Sequence, residues 1–320
     1  MSEQPDVHFH HEGAQGRIVL DRPRAINALT PQMMDAIGEQ LQAWAEDDDV
    51  DSVAILGEGE RGFCSGADVR AIRELVLQQP QAAIDFFRTE YGVNQLIASY
   101  PKPVVSHLHG ISMGGGLGLA LHASRVVASP DLKLAMPETG IGLFPDVGVT
   151  WNLSRAPGEV GTYLALTGTT IDAADAQFAG LVHDVLLPAE MDDEFGVHAH
   201  SELAADRTWI DECFAGDDPV AIVATLEAHD EPKARQCAEL IASRSPLSVA
   251  VALEQVRRAA AMADVAEVLA QDLVLATNFV AQSDFAEGVR AQLVDKDRNP
   301  SWAHASLTEV SREQVERMFR

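Results

Sequence analysis

Residues 109–148 read HGISMGGGLGLALHASRVVASPDLKLAMPETGIGLFPDVG, and this stretch decides the interpretation of the whole chain. Three consecutive glycines (114–116) precede an apolar run that starts as a helix should, and Glu138 and Asp146 follow, eight residues apart. Glycine lets the backbone approach a ligand closely, and the first N–H groups of a helix have no partner within it. Such an N–H can bind a developing negative charge, while nearby carboxylates can serve as nucleophile, base or acid. The stretch therefore predicts a site that activates a thioester carbonyl.

Strands and helices alternate along the first half of the chain. Thr30 is a favourable helix N-cap before Pro31, and apolar residues recur at helical spacing from there to Trp44. Alternation of strands with helices favours a layered α/β core. Short β-rich runs predict strands at residues 7–11, 17–21, 52–56, 103–107, 125–128 and 133–135.

Helices are also predicted around and beyond the glycine-rich segments. One begins at Ala67 and ends before Pro80, a second covers 81–99, and a third runs from the glycines to about His122. Beyond residue 155 the pattern is mostly helical, at 157–167, at 172–178 and over nearly everything after 246. The second half of the chain is therefore predicted to be a helical region.

The net charge of −26 comes from 23 Lys+Arg against 49 Asp+Glu. Nucleic acid is excluded as a partner, because phosphate binding needs a basic surface. No apolar run approaches the roughly 20 residues that span a bilayer. The N-terminus, MSEQPDVHFHHEG, has neither a signal-peptide pattern nor an Arg-rich presequence. We therefore expect no membrane partner and a cytoplasmic location, with a processed precursor as the alternative.

Cysteine and histidine point to no disulfide and no metal. The three cysteines form no CxxC pair. Cys64 could be a nucleophile, but a residue beside such a loop is more often a small apolar packing element. The histidines at 8, 10 and 11 resemble a metal tract, yet no acidic or cysteine ligands recur at matching spacing. Alternation in a half-exposed strand explains His8 and His10 better.

Several separated motifs resemble the enoyl-CoA hydratase/isomerase (crotonase) superfamily. They are LDRPRAINALT (20–30), RGFCSGADVR (61–70), HGISMGGG (109–116) and AMPETGIGLFPDVG (135–148). Three segments resemble one branch of this superfamily, the 3-hydroxyisobutyryl-CoA hydrolases. They are FFRTEY (86–91), MPETGIGLFPDVG (136–148) and DFAEGVRAQLVDKDRNPSW (284–302). The resemblance extends from about residue 7 to the C-terminus.

The resemblance implies a fold and an assembly. Residues 1–245 would form a crotonase-like core of repeated ββα units that binds a coenzyme A (CoA) thioester. Residues 246–320 would form a C-terminal helical region that completes the site, forms an oligomer interface, or does both. The family likeness suggests a homo-oligomer, a trimer or a hexamer.

Ala67, after the CSG turn (residues 64–66), and Gly115 are the candidates for the two N–H donors of an oxyanion hole. The resemblance implies the same two positions. It also implies that Gly114, Gly115 and Glu90 bind the substrate, Glu90 through the substrate hydroxyl. Taken without the resemblance, Glu90 is a surface helix residue that pairs with Arg88 or its neighbours.

The resemblance makes both acidic residues of the opening stretch catalytic. Glu138 would attack the thioester carbonyl or activate water against it, and Asp146 would handle the water or the substrate hydroxyl. Without the resemblance, Glu138 could face solvent, although its apolar surroundings argue against this, and Asp146 could be a turn or cap residue.

Gly118 distinguishes between the reactions of the superfamily. Its hydratases resemble one another in carrying two glutamates, the first of them three residues past the middle glycine. This chain has Gly118 there, and glycine can neither orient water nor relay its proton to an alkene. The hydratase interpretation loses most of its support at this position.

The sequence therefore predicts an acyl-CoA thioester hydrolase that releases free CoA and a short 3-hydroxy acid, similar to 3-hydroxyisobutyrate of valine catabolism. The alternatives are an enoyl-CoA hydratase or isomerase of the same superfamily, and a CoA-binding protein without turnover. The presence of both Glu138 and Asp146 argues against the last. No metal is expected, and no cofactor beyond the CoA of the substrate.

Because CoA is an anion, a chain with a net charge of −26 must bind it in a locally basic zone. The candidates are Arg22, Arg24, Arg61, Arg70, Lys102, Arg290, Lys296 and Arg298.

Overall fold

The computed structural model describes residues 6–186 and 200–320, which divide into two compact units. The first comprises Met1–Asp68, Arg88–Ala135 and Thr170–Ser201, as far as these are described. The second comprises Val69–Phe87, Met136–Thr169 and Glu202–Arg320. The domain boundary predicted at residue 245 stays a prediction.

The first unit contains the strands β1 (Val7–Glu12), β2 (Gln15–Leu20), β3 (Ser52–Gly57), β4 (Val104–Leu108), β5 (Ile111–Met113), β6 (Arg125–Ala128), β7 (Lys133–Ala135) and β8 (Asp184–Val185). A six-stranded sheet has the order β1-β2-β3-β4-β6-β8. Its β1 and β2 are antiparallel and the following pairs are parallel. A second, two-stranded sheet pairs β5 with β7 in parallel. The predicted α/β class is confirmed.

The first helix forms as the sequence predicts. The hydroxyl of Thr30 accepts a hydrogen bond from Met33 N, and Pro31 opens the helix, where its missing N–H costs nothing. Apolar residues on one face, among them Ile37 and Trp44, are buried. The helices of this unit are α1 (Pro31–Ala45), α3 (Pro80–Ala98) from Arg88 onward, α4 (Gly115–Gly118) and α7 (Ala173–Phe178).

The helix predicted from the glycines to about His122 is wrong in length, because α4 ends at Gly118. Beyond it the backbone makes turns, with Ala120 N donating to Leu117 O, three residues back. Glycine is a poor helix former, and Gly118 among these residues weakens any continuation.

Helices dominate the second unit, which confirms the predicted helical C-terminal region. They are α2 (Val69–Gln78), α3 up to Phe87, α5 (Val149–Leu153), α6 (Val160–Thr167), α8 (Glu202–Phe214), α9 (Pro219–Ala228), α10 (Pro232–Ala242), α11 (Pro246–Ala261), α12 (Val265–Val280), α13 (Asp284–Val289) and α14 (Arg312–Met318).

Three predicted boundaries in this unit are corrected. The α2 helix begins at Val69 rather than Ala67, so Ala67 belongs to the loop before it. The α6 helix begins at Val160 rather than at residue 157. After a π-helical turn, Arg290–Val294, residues 295–306 are not helical. Lys296 and Arg298 there adopt left-handed backbone with φ of 59° and 55°, which interrupts a helix.

Candidate active site

In the first unit, the CSG turn and the glycine turn (residues 114–116) lie side by side. Cys64 O accepts a hydrogen bond from Met113 N at 2.9 Å. An ideal Cβ built on Gly66 would lie 3.2 Å from Gly115 N, and one built on Gly115 would lie 3.3 Å from Ala67 N. The two predicted oxyanion donors are therefore neighbours.

The N–H groups of these two residues remain available. Leu29 forms a β-bridge with Ala67, but the N–H of Ala67 takes no part in it. Leu29 N donates to Gly66 O, and Asp68 N donates to Leu29 O, both at 2.9 Å. Across residues 6–186 and 200–320, no protein acceptor is bonded to the N–H of Ala67 or Gly115. Both groups can therefore donate to a developing oxyanion.

Glu90 lies against the same glycine. A Cβ on Gly115 would come within 2.3 Å of Glu90 Oε1, so a side chain at this position would displace the Glu90 carboxylate. Glu90 is 1% exposed, so its interpretation as a surface helix residue is wrong. The structure brings Glu90, Ala67 and Gly115 together, and the roles of these residues stay predictions.

The neighbouring glycines are fixed by conformation and by contact. Gly114 has φ 52° and ψ −134°, a backbone that glycine adopts and other residues avoid, and its N–H donates to Ala135 O at 3.2 Å. A Cβ on Gly116 would lie 2.6 Å from Cys64 Cβ. The close approach of the two turns therefore depends on glycine.

Cys64 packs between these turns rather than acting as a nucleophile. It is fully buried, and this burial raises the pKa of its thiol to about 12. Its Sγ lies 3.1 Å from Asn27 O and 3.4 Å from Gly66 N. A nucleophilic cysteine must reach the thiolate form, which this environment opposes.

Asn27 is a supporting residue that the sequence reasoning missed. It is fully buried, with φ 52°, and its Nδ2 donates to Phe63 O at 2.9 Å and Glu58 O at 3.0 Å. Its Oδ1 accepts from Arg22 N at 2.8 Å. Asparagine tolerates left-handed backbone. An asparagine at the end of the RPRAIN segment was the available signal for this anchor of the CSG turn.

In the second unit, Glu138 begins a 3₁₀ turn, Glu138–Ile141. Its side chain is 5% exposed, so it is buried rather than solvent-facing. Its carbonyl accepts a hydrogen bond from Leu143 N at 3.0 Å, and Gly142 closes the turn with φ 72°. We call this segment the Glu138 turn.

The C-terminal helix α13 packs directly on the Glu138 turn. A Cβ on Gly142 would lie 2.3 Å from Asp284 O, and one on Gly288 would lie 2.4 Å from the backbone of Ile141. Ser245 donates from its N–H to Thr139 O at 3.1 Å and from its hydroxyl to Asp284 Oδ2 at 2.7 Å. The backbone that carries Glu138 is thus held by chain from residue 245 onward.

Asp146, 4% exposed, lies in the segment 145–148, which we call the Asp146 turn. Val147 and Gly148 both have left-handed backbone, with φ of 53° and 74°. Gly148 N donates to Asp272 Oδ2 at 2.8 Å, and Gln255 Nε2 donates to Pro145 O at 3.0 Å. Sequence reasoning missed Gln255 and Asp272; an aspartate within the apolar LAQDLVLA segment was the signal for the second.

Gly118, the position at which the resemblance predicts a glutamate in the hydratases, is buried at the end of α4. It presents no side chain there, so it cannot hold or protonate a water molecule.

Four of the eight basic candidates for CoA binding are already engaged. Arg290 pairs with Glu287, Asp295 and Asp297. Lys102 donates to the carbonyls of Trp44 and Asp47, at 2.6 Å each. The other two are Arg22, near Asp6 and Asp68, and Arg70, which donates to Leu293 O.

The remaining candidates have no carboxylate within ion-pair distance among the residues that the structure describes. They are Arg24, Arg61, Lys296 and Arg298. A guanidinium or ammonium group that no carboxylate neutralises is the better partner for a phosphate.

The histidine tract has partners within the protein. His8 Nε2 lies 2.8 Å from Asp21 Oδ2, and Trp44 Nε1 donates to His11 Nε2 at 3.1 Å. In the described part of the chain, no three His, Cys, Asp or Glu side chains gather as metal ligands. No helix described there is long and apolar enough to cross a membrane.

The chain resembles known proteins over its whole length. A family model described as enoyl-CoA hydratase/isomerase matches residues 15–196 and 188–319. The 3-hydroxyisobutyryl-CoA hydrolase, mitochondrial, of Danio rerio is 36% identical, with 98% of this chain and 89% of the relative covered. The protein of the same name from Homo sapiens is 34% identical, over 98% of this chain and 88% of the relative.

Solved structures agree on the fold and carry other names. A carnitinyl-CoA dehydratase from Mycobacterium thermoresistibile superimposes with a TM-score of 0.92 at 42% identity, covering 99% of this chain and 97% of the other. An enoyl-CoA hydratase from Rhodobacter sphaeroides also gives 0.92, at 36% identity over 98% and 97%. The predicted crotonase-like fold is confirmed, and the chain belongs to the enoyl-CoA hydratase/isomerase (crotonase) family.

Proposed function

We propose that this protein hydrolyses the thioester of a short 3-hydroxyacyl-CoA, releasing free CoA and a 3-hydroxy acid such as 3-hydroxyisobutyrate. The observation that carries the proposal is the pair of adjacent N–H donors of Ala67 and Gly115. In the same chain, the position where the resemblance places the first glutamate of the hydratases is Gly118, which has no side chain. The relatives that share about a third of the sequence are named as hydrolases of this substrate.

The oxyanion donors act at the first step. When a nucleophile adds to the thioester carbonyl, negative charge develops on its oxygen, and the N–H groups of Ala67 and Gly115 receive that charge. Each donor of this kind contributes roughly 3 kcal/mol to transition-state stabilisation. Their fixed backbone needs no reorganisation during the reaction, since the glycine contacts already hold it.

Glu138 drives the bond exchange by one of two routes. As nucleophile, its carboxylate adds to the carbonyl carbon, the C–S bond breaks, and a mixed anhydride forms that water then hydrolyses. As general base, it removes a proton from water, whose oxygen adds to the carbonyl before the C–S bond breaks. By either route, one water and one thioester give one carboxylic acid and the CoA thiol.

Asp146 and Glu90 serve the remaining polar groups in this proposal. Asp146 handles the water or the substrate hydroxyl, and Glu90, held against Gly115, accepts a hydrogen bond from the 3-hydroxyl. Gly114 lets the acyl group approach the backbone. Among the basic residues, Arg24, Arg61, Lys296 and Arg298 are proposed for the CoA phosphates. No metal or further cofactor takes part.

A second candidate function is hydration or dehydration at the acyl double bond. The 42% identity with a structure named as a carnitinyl-CoA dehydratase favours it. Gly118 opposes it, because the second carboxylate of the two-glutamate site is missing. We therefore rank it below hydrolysis.

The test measures both reactions with one preparation. Release of the CoA thiol from 3-hydroxyisobutyryl-CoA reports hydrolysis, and the absorbance of crotonyl-CoA reports hydration. Glu138→Gln keeps size and hydrogen bonding but removes the charge, so thiol release should fall ~10³-fold or more while CoA affinity is retained. A variant that keeps a tenth of wild-type hydrolysis would refute the role of Glu138. Hydration exceeding hydrolysis in the wild type would refute the proposed function itself.

Assembly and location are part of the proposal. We infer a homo-oligomer, a trimer or a hexamer, for which light scattering gives the mass. A cytoplasmic location stays a prediction, whereas the animal relatives carry the word mitochondrial in their names. Fractionation of the source cells distinguishes the two locations.

A further inference from the structure

Two buried side chains from separate helices of the second unit meet at the Asp146 turn. Asp272, on α12, accepts from Gly148 N through Oδ2 at 2.8 Å and from Gln255 Nε2 through Oδ1 at 2.7 Å. Gln255, on α11, donates from the same Nε2 to Pro145 O at 3.0 Å. Both side chains are fully buried. The two ends of the Asp146 turn are thus tied to one connected pair.

The orientation of the Gln255 amide follows from its partners. Pro145 O is a carbonyl and can only accept, so the group that faces it must be the NH₂ of Gln255. The same NH₂ then points one proton at Pro145 O and the other at Asp272 Oδ1. Each contact is therefore specified by chemistry as well as by distance.

The turn needs such restraint because its backbone is unfavourable. Val147 has φ 53° and is fully buried, and a β-branched residue in left-handed backbone is strained. Strain of this kind persists only where surrounding contacts over-determine it, and it is concentrated at functional sites. The hydrogen bonds of Gln255 and Asp272 lie on the two sides of the strained residue.

Burying the carboxyl group of Asp272 costs more free energy than burying an apolar side chain of the same size. No Lys, Arg or His lies within ion-pair distance of it among the residues that the structure describes. Burial raises the pKa of Asp272 well above its ordinary value, and the negative charge of Asp146 raises it further. An apolar residue would fill the same volume without this cost.

We propose that Asp272 and Gln255 are positioning residues for Asp146, holding the strained turn so that the Asp146 carboxyl is presented to the water or substrate hydroxyl. The inference rests on the proposed function for the role of Asp146. It adds two residues that touch no substrate and act through the backbone of the turn.

A double-mutant cycle tests whether Asp272 acts through Asp146. Hydrolysis is measured for the wild type, Asp146→Asn, Asp272→Asn and the double variant. We expect Asp272→Asn to lower kcat ~10-fold or more with KM changed less than ~2-fold, and to have little further effect once Asp146 is Asn. An equal fold-loss of kcat in both backgrounds would overturn the proposal, because a merely structural role lowers both alike.

A second readout does not depend on activity. Amide hydrogen exchange of the peptide that contains the Asp146 turn should become faster in Asp272→Asn, because one acceptor of the pair is replaced by a donor. Gln255→Met keeps the side-chain length and removes both donated bonds, and it should speed the same exchange. Unchanged exchange in both variants would show that Asp272 and Gln255 do not hold the Asp146 turn and would overturn the proposal.

The matched control is Asp175→Asn, the same substitution at a buried aspartate of the first unit that bonds Ser201. It should leave kcat and the exchange of the Asp146 turn unchanged. If Asp146→Asn keeps full hydrolysis while Asp272→Asn still speeds the exchange, the proposed catalytic role of Asp146 is wrong. The finding that Asp272 holds the Asp146 turn would remain.

Discussion

The CSG and glycine turns of the first unit and the Asp146 turn of the second unit each hold the backbone of a proposed site residue in an unusual conformation, by different means. In the first unit the residues are glycines, which adopt such backbone freely and permit the close contact between Gly115 and Ala67. In the second unit a valine, Val147, occupies the left-handed region, and side chains from α11 and α12 hold the turn. The unusual backbone of the first unit thus comes from glycines within the turns themselves, whereas that of the second unit comes from a valine held by side chains more than a hundred residues away.

Removing the C-terminal segment tests whether the Glu138 turn of the second unit also depends on distant chain. Deletion of residues 284–320 removes α13, whose Asp284 and Gly288 contact the Glu138 turn. It also exposes apolar partners of the buried Phe285 and Val289. We expect insoluble or inactive protein, measured by recovery and CoA-thiol release.

The control for this truncation is deletion of residues 311–320, which removes α14 and leaves α13 in place. That variant should melt at a lower temperature, because Val315 and Met318 are buried, and still hydrolyse the substrate. Full activity and an unchanged melting temperature after the longer deletion would contradict the dependence on distant chain.

A methyl group placed in the first unit tests the local means. Gly115→Ala would put a Cβ 2.3 Å from Glu90 Oε1 and 3.3 Å from Ala67 N, so the donors or Glu90 must shift. Loss of one oxyanion donor costs ~10²-fold or more in kcat. The measurement is kcat for hydrolysis, with circular dichroism to show that the fold is kept.

Gly92→Ala provides the matched control on α3, where an added Cβ meets nothing within 4 Å. Activity should stay at the wild-type level, and stability should rise by ~0.5–1 kcal/mol because alanine favours a helix. Equal activity of the two alanine variants would mean that the glycine contact does not set the oxyanion geometry.

The smallest effect concerns the pH dependence of stability. Burial raises the pKa of Asp272, so above an ordinary aspartate pKa of ~4 the folded protein keeps a proton that the unfolded chain loses. The free energy of unfolding contributed by Asp272 is therefore complete below that pH and declines as pH rises toward the folded-state pKa.

Asp272→Asn has no such proton to lose. The stability gap between wild type and this variant should thus narrow as pH rises above about 4 toward the raised folded-state pKa of Asp272, which thermal melts at a series of pH values would show. A gap that is constant with pH would mean that the pKa of Asp272 is the same in the folded and unfolded protein.

Features whose geometry is set within a short segment of chain could be predicted from the sequence. The adjacent oxyanion donors follow from glycines within their own turns, and helix α1 follows from Thr30, Pro31 and an apolar face. The partners of the Asp146 turn do not, because Gly148 and Asp272 are 124 residues apart and Pro145 and Gln255 are 110 apart. The sequence around one residue of each pair contains no signal that predicts its partner.

Other errors have local causes. The overlong α4 came from extending an apolar run past Gly118, where the weak helix propensity of glycine decides the end. The charge of Arg290 predicts CoA binding, although the DKD segment beside it supplies two of its carboxylate partners. The local pattern around Glu90 predicts an exposed residue, because its burial against Gly115 involves chain that is distant in sequence.

The burial of the three cysteines gives this protein an internal reporter of its own opening. Cys64, Cys213 and Cys237 are all buried, and burial raises the pKa of each thiol, that of Cys64 to about 12 and that of Cys237 to about 11. The thiolate is the form that attacks an alkylating reagent, so labelling of the native protein should be slow and should follow the transient exposure of each thiol. Cys64 lies in the first unit, whereas Cys213 and Cys237 lie in the second. Mass spectrometry of the modified peptides would therefore time the opening of each unit separately, without any engineered probe.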